Sequence, residues 1–409
     1  MPVDIVRCNN PTPVEVTNLP RTAFREILVG QLYPQFQGSF EYTVDNTDLV
    51  VNTVVNGGTV TQALAMAVVA TSTTTASTAL LSSARHAKYK PGIGTAGRFT
   101  ALFTTPVALT EQYIGFFDTL GSSAAFRNGF GVGYDGEDFG IHRFSNDVKY
   151  SILLSACDDP LDGSGASGMT LDTTKLNVFA ITFQYLGGGP VRYYIEDEST
   201  GGFVLFHTIV IANTFTEPIV HNPSFHFLMF VNNKATTSNL IIKCASYGYF
   251  NEGITTFIEL HVPHNSSGLQ TKNAVTTEIA IFTIRSRTNY AGVLNFIDIF
   301  LEHFSASIEA NAANNLGSVR VIKNTTLGGT PVWNNINTNN STVEIDVAGT
   351  TVTGGKEVAV IPLAGKNDKG DLDTTPFKIT MRHGESFTVA GKSAASATIN
   401  AALLFSELF

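Results

Sequence analysis

Apolar and polar residues alternate along most of this 409-residue chain. Period-two alternation is the mark of a half-buried β-strand. The runs RFTALF (98–103), YIGFF (113–117), NVFAITFQY (177–185), VRYYI (191–195), GFVLFHTIVI (202–211), HFLMFV (226–231) and LIIK (240–243) each read as one short strand. Turn-forming clusters such as Gly187-Gly188-Gly189 and Ser199-Thr200-Gly201-Gly202 separate them. Extended Thr/Val-rich segments from Phe40 to Ser83 come first. Upstream, Thr22 to Leu32 places Phe24, Ile27 and Leu28 at helical spacing, but strands dominate the remainder of the chain and it is read as a strand. Residues 1–22 are polar, bear prolines and show no period, as expected of an arm.

A polar stretch, Asn251 to Thr277, interrupts the pattern with Pro263 and Asn265-Ser266-Ser267-Gly268. A second series of strands comes after it at 278–285, 293–308, 318–323, 343–347, 358–361, 377–381, 386–389 and 397–405. Arg382-His383-Gly384-Glu385 reads as a hairpin turn, and Ile399, Ala401, Leu403 and Phe405 share one face. The expectation is an all-β chain with little helix. It has an arm (1–22), a first antiparallel β-sandwich (23–253) and a second (254–409).

The stretch GFGVGYDGEDFGIHRF (129–144) puts the fold and function questions side by side. Tyr134, Asp135, Glu137 and Asp138 are candidate ligand-binding residues. The local pattern favours a hairpin, with Asp135-Gly136 as a type I′ turn. The spacing of a helix-loop-helix calcium site is absent.

Composition narrows the function classes. Only 14% of residues are charged, well below the quarter or so usual in soluble domains, while 43% are hydrophobic. That balance suits extended sandwiches and a life inside an assembly. The net charge of −9 argues against a nucleic-acid-binding surface. The longest basic cluster, 85–90, is short. Cys8, Cys157 and Cys244 are too scattered for a disulfide framework or zinc site. MPVDIVRCNN has no apolar signal core, and no apolar run reaches the length of a membrane span. Synthesis in the cytoplasm without a signal peptide is expected.

Other motifs carry less. Gly92-Ile93-Gly94-Thr95-Ala96-Gly97 matches a dinucleotide pattern, but a strand rather than a helix is expected after it. Asp158, Asp159 and Asp162 are candidate calcium ligands, against the alternative of a turn organised by Pro160 and Gly163. His221/His226 and His261/His264 lack the helical Glu of a zinc protease. Asp135, Glu137, Asp138, Glu196, Asp197 and Glu198 could supply the carboxylate pair of a glycosidase, although Glu196–Glu198 reads better as a hairpin tip. The Asn-X-Ser/Thr sites at Asn265, Asn324, Asn339 and Asn340 read as Asn-rich loops.

RFTALFTTPVALTEQYIGFFD, GFGVGYDGEDFGIHRF, NVFAITFQYLGGGPVRYYIEDESTGGFVLFHTI and TLGGTPVWNNINTNNSTVEIDVAGTTVTGG together resemble a largely uncharacterised family of virion-associated structural proteins. Its members occur in tailed bacteriophages and large DNA viruses. The resemblance runs from Thr22 to the C-terminus and brings no catalytic residue set. The first sandwich is also similar to concanavalin-type lectin and jelly-roll folds, and the second to a jelly roll. Together with the low charge, the all-β pattern and the lack of a catalytic signature, the resemblance points to a non-enzymatic protein of the particle surface, as a capsid-associated, tail or fibre component. It would contact itself, as a trimer, and other virion proteins. A lectin-like module for host-surface glycans is the alternative, and a glycan-cleaving enzyme the third reading.

Overall fold

The computed structural model describes residues 31–44, 50–119, 126–253, 263–295, 297–310 and 316–408. The expected arm at 1–22 lies outside these residues, as does most of the Thr22–Leu32 segment. The chain divides into two compact units, Met1–Thr255 and Thr256–Phe409. Among the described residues the regular structure is β-strand, apart from single 3-10 turns at Leu154–Ala156 and Thr375–Phe377. The chain is all-β, and its sheets are antiparallel.

The first unit packs a nine-stranded sheet on a seven-stranded one. The larger sheet runs Phe203–Ile209, Val191–Glu196, Asn177–Phe183, Thr95–Phe103, Ile241–Cys244, Met66–Ala70, Thr59–Ala63. Ser246–Glu252 also pairs with Thr95–Phe103, and Leu32–Ser39 pairs outside it. The smaller sheet runs Val148–Leu153, Asp138–Ser145, Phe126–Asp135, Glu111–Thr119, Phe225–Asn232, Thr78–Ala87, Val50–Val55. Phe99, Phe116, Phe130, Phe179, Phe227 and Tyr249 fill the space between the two sheets. Their rings meet edge-on or stacked, as with Phe116–Tyr249 at 5.3 Å and Phe227–Tyr247 at 4.0 Å.

The seven-stranded sheet buries both faces. Alternate residues turn Ile114, Phe116, Phe227 and Met229 inward. Their neighbours Tyr113, Phe117, Leu228 and Phe230 face away and form a second apolar layer with Leu80, Phe126 and Phe144. A register shift beside Asp118 carries Phe126 onto that side. The glycines of GFGVG make room for the layer. A Cβ on Gly131 would lie 2.4 Å from the Phe117 ring and 2.5 Å from the Ile114 carbonyl. The alternating glycines therefore have a packing cause.

The second unit pairs two six-stranded sheets. One runs His264–Ser266, Ala397–Leu408, Asp298–Ala310, Lys369–Asp373. The other runs Asn334–Asn335, Val343–Asp346, Ile279–Ser286, Ser386–Ser393, Leu316–Lys323, Lys356–Ala364. Ile399, Ala401, Leu403 and Phe405 all lie in its core, as their spacing predicts. The fully buried Glu407 carboxylate accepts hydrogen bonds from Asn265, Ser341 and both the amide and hydroxyl of Thr342.

Several elements differ from expectation. The segment 377–381 is not one strand. Pro376 sits in a 3-10 turn, Lys378 adopts φ 49°, and only Thr380–Met381 pairs. The segment 293–308 splits into Val293–Leu294 and Asp298–Ala310. Among the strands of five or more residues that carried no recognised pattern are Ser246–Glu252, Val148–Leu153, Gln270–Val275 and Lys369–Asp373, together with most of Leu32–Ser39. The turn after Phe126–Asp135 is centred on Gly136-Glu137, with Gly136 at φ 69° in the first central position, where a type II′ turn places glycine. The turn with two positive φ values is the next one, Asn146 (48°) and Asp147 (69°), linking Ser145 to Val148.

Gly131→Ala should lower the stability of the first unit by about 1–3 kcal/mol through overpacking. Gly188→Ala is the neutral control, since nothing lies within 4 Å of its added methyl group. Eleven of the twelve tyrosines lie in the first unit and the single tryptophan, Trp333, in the second. Near-ultraviolet tyrosine signals in a denaturant titration therefore report the effect, with Trp333 fluorescence as internal reference.

Candidate functional site

The hairpin residues separate on folding. Tyr134 points into the core, its ring 5.8 Å from Phe103 and its hydroxyl 2.7 Å from Thr173 Oγ1. Glu137 and Asp138 are exposed at the turn. Asp135 joins a polar knot on the far side of the seven-stranded sheet. Lys149 Nζ lies 2.6 Å from Asp135 Oδ2 and 3.6 Å from Glu111 Oε1, and Lys234 Nζ lies 3.0 Å from the same Glu111 oxygen. The Tyr113 hydroxyl stands 3.3 Å from each carboxylate and accepts from Lys149 at 3.2 Å. Burial alone would raise the Asp135 carboxyl, but the hydrogen bond and charge of Lys149 outweigh it and hold the group below its ordinary value. Burial, reinforced by the charges of Glu111 and Asp135, pushes the Tyr113 phenol well up. Two carboxylates and two ammoniums thus neutralise one another beside a buried phenol.

His142 lies beneath this knot, its ring 4.6 Å from Tyr113. Both ring nitrogens are engaged, Nδ1 with Ser151 Oγ at 3.0 Å and Nε2 with the Gly133 carbonyl at 3.1 Å. Burial pulls its pKa down to about 4 despite that carbonyl. Asp118 is buried at the other end of the same sheet. Burial raises it to about 7, while the amides of Asn128 (3.3 Å) and Asn222 (3.4 Å) and the charge of Arg127 act the other way.

The three aspartates of the 158–165 loop serve separate purposes. Asp158 Oδ2 accepts from the Thr208 amide at 2.9 Å. Asp159 is buried and accepts from the amides of Leu161 (3.0 Å) and Ser167 (2.7 Å), which lower its carboxyl against the pull of burial. Asp162 accepts from the amide and hydroxyl of Ser164. Each ties its own piece of backbone. Among the described residues no group of three or more His, Cys, Asp and Glu gathers where it could hold a metal ion.

The remaining motifs resolve in the same way. Gly92–Gly97 runs into the strand Thr95–Phe103, and a Cβ on Gly97 would meet the Phe116 ring at 2.0 Å. Asp197 binds Ser199 and Thr200 at a hairpin tip. His221 lies 3.6 Å from Glu217, and His226 Nδ1 lies 2.7 Å from the Ser83 carbonyl, so these two do not form a pair. His261 and Cys8 lie outside the described residues. Burial raises the thiols of Cys157 and Cys244 to about 12, which leaves them poor nucleophiles at neutral pH.

A wide hollow of the first unit lies elsewhere. It occupies about 720 Å³ on the outer side of the nine-stranded sheet and is lined by Gln37–Thr43, Arg98–Thr100, Val178 and Ser246–Gly248 with Phe250. Tyr42 stands almost free at 92% exposure. Arg98 lies 5.3 Å from the Phe203 ring and 6.0 Å from Phe250. Glu41 faces the same space and accepts from Ser39 Oγ at 3.1 Å. The hollow offers aromatic surface, donor-only and acceptor-only groups together. No local motif announces it, because three distant segments build it.

No family model matches the chain, and no curated relative does. Similarity to solved structures is confined to about half the chain. The metal-free carbohydrate-recognition domain of Emp46p is 10% identical, with 53% of this chain and 98% of that one covered and a TM-score of 0.33. Lectin UEA-II in complex with galactose is 10% identical, covering 54% and 100%, with a TM-score of 0.34. A glycosyl hydrolase family 16 protein of Mycobacterium smegmatis is 10% identical, covering 53% and 100%, with a TM-score of 0.35. These values assign no function.

Asp118 and His142 give opposite pH dependences. The folded chain holds the Asp118 proton more tightly than the unfolded chain, so this group's contribution falls as pH rises from about 4 to about 7. The folded chain gives up the His142 proton more easily, so that contribution is lost as pH falls from 6.5 to about 4. Asp118→Asn keeps an oxygen to accept from the amides of Asn128 and Asn222, and should be more stable than the parent above pH 7, by roughly 1–4 kcal/mol. It should also lose stability more steeply below pH 6.5. Thermal midpoints from pH 4 to 8 that run parallel in the two proteins would refute this assignment.

Proposed function

We propose that this chain is a non-enzymatic structural protein that works by self-association, as a component of a virus-particle surface. One observation carries the reading: the polar cluster around Asp135 and the described thiols are committed to the fold, while among the described residues a strand edge is left open. Lys149, Glu111 and Asp135 neutralise one another, His142 has both nitrogens engaged, and the described thiols are buried. The edge strand Val148–Leu153 meanwhile exposes Val148, Tyr150 and Leu153. Unpaired edges with apolar side chains are templates for another chain. The low charge content and the resemblance to virion proteins agree with an assembled setting. Light scattering at micromolar concentration should give a discrete oligomer. A monomer at every concentration tested would overturn the reading.

The hollow beside Arg98 favours a second reading, host-glycan recognition. Sugars present a C–H face to aromatic rings and hydroxyls to mixed donors and acceptors. Tyr42 and Phe250 supply the first, and Arg98, Glu41, Gln37 and Thr100 the second. A glycan array should give a signal in the absence of calcium that Tyr42→Ala and Arg98→Ala each reduce at least tenfold. An array blank with and without calcium would remove this reading.

A further inference from the structure

We infer that the open edge Val148–Leu153 pairs with the same strand of a second copy, antiparallel and about a two-fold axis at Ser151. This rests on the self-association proposed above and names the surface and register it uses.

Sheet edges are normally blunted by a proline, a bulge, a short strand or an outward-pointing lysine. In the nine-stranded sheet, Leu32–Ser39 carries Pro34 and a register shift, Phe203–Ile209 pairs through another shift, and Thr59–Ala63 is short. Val148–Leu153 has none of these. Its six residues pair with Leu153↔Gly140 through Val148↔Ser145 without a shift. Its one charge, Lys149, folds back onto Asp135 and Glu111 rather than guarding the edge.

Pairing must keep inward residues opposite inward ones. Val148, Tyr150 and Ile152 share the face of Arg143 and Ile141, their cross-strand partners, while Lys149, Ser151 and Leu153 take the other. With Ser151 on the axis, Tyr150 of each copy faces Ile152 of the other, and the alkyl stem of Lys149 covers the exposed Leu153. Shifting the axis to Tyr150 would set Leu153 against Asp147, an apolar group against a carboxylate. The Ser151 register opposes no like charges. A two-fold pairing closes on itself as a dimer, whereas joining this edge to Val50–Val55 at the opposite side of the sheet is heterologous and closes only where its rotation returns to the start.

The test is charge exchange at the axis. Ser151→Lys and Ser151→Glu each place like charges face to face, so each alone should associate at least tenfold more weakly by sedimentation. An equimolar mixture should restore the pairing. Near-ultraviolet tyrosine spectra confirm that both variants fold, since each loses the Ser151–His142 hydrogen bond. Leu153→Glu and Leu153→Lys each set a charge where the Lys149 stem covers Leu153, so both should weaken association. If the parent associates and these variants change nothing, the edge is not the interface, although self-association stands. A Ser151→Glu protein that associates more tightly, or a mixture of two folded variants that fails to recover, overturns the register. A monomeric parent removes both proposals.

Discussion

A sheet that buries both faces must find room for two layers of aromatic side chains, and the first unit is arranged around that demand. Phe116, Phe130 and Phe227 occupy the inner layer, and Tyr113, Phe117, Phe126, Phe144 and Phe230 the outer. The outer rings lie close together, with Phe126–Phe144 at 4.9 Å and Phe117–Phe126 at 5.0 Å. Gly129 and Gly131 leave the space that the Phe117 ring takes, and Gly115 and Gly133 let the backbones of the two central strands approach. The chain's many phenylalanines and its low charge stem from the same demand. Two apolar faces per sheet leave fewer positions for charged residues than one.

The same burial creates the polar knot. A tyrosine on a doubly buried sheet needs a partner for its hydroxyl, and Tyr113 finds two carboxylates at the sheet's end. Carboxylates that close repel, so they need cations, which Lys149 and Lys234 supply. An apparent acid/base constellation is thus the completion of a buried network. Asp135 is held below its ordinary value and the Tyr113 phenol above its own, so neither moves toward the neutrality that a general acid or base needs. Asp118, raised to about 7, is the described exception, and it is enclosed under Asn128 and Asn222 away from the hollow.

The architecture is legible in the sequence because strand alternation and turn residues are local signals. The run from Arg98 to Phe103, the acidic hairpin and the last strand all sit where their periods place them. Features without local marks escape such a reading. Val148–Leu153 comes directly after a turn at Asn146-Asp147 and places Lys149 and Ser151 among its apolar residues, so VKYSIL looks like loop continuation. Gln270–Val275 and Lys369–Asp373 are polar edge segments whose strand character comes from pairing with Ala397–Leu408 and Asp298–Ala310. Of the polar knot only Asp135 was among the candidate residues. Glu111 and Lys149 reach it by register across the sheet, which no spacing along the chain reveals. The hollow around Arg98 likewise joins segments near residues 40, 100 and 247.

The knot and the open edge are two consequences of one side chain. Lys149 is the only charged residue on Val148–Leu153, and in most sheets such a lysine would extend outward and discourage pairing. Here the carboxylates of Asp135 and Glu111 draw it inward over the neighbouring strand, which satisfies the burial of Tyr113 and leaves the strand's outer hydrogen-bonding groups unguarded. Had the sheet buried one face only, Tyr113 would meet water, the carboxylates would need no local cation, and the lysine could serve as guard. Packing both faces therefore carries through three strands to the edge, and ties the exposure of Val148, Tyr150 and Leu153 to the interior of this sandwich.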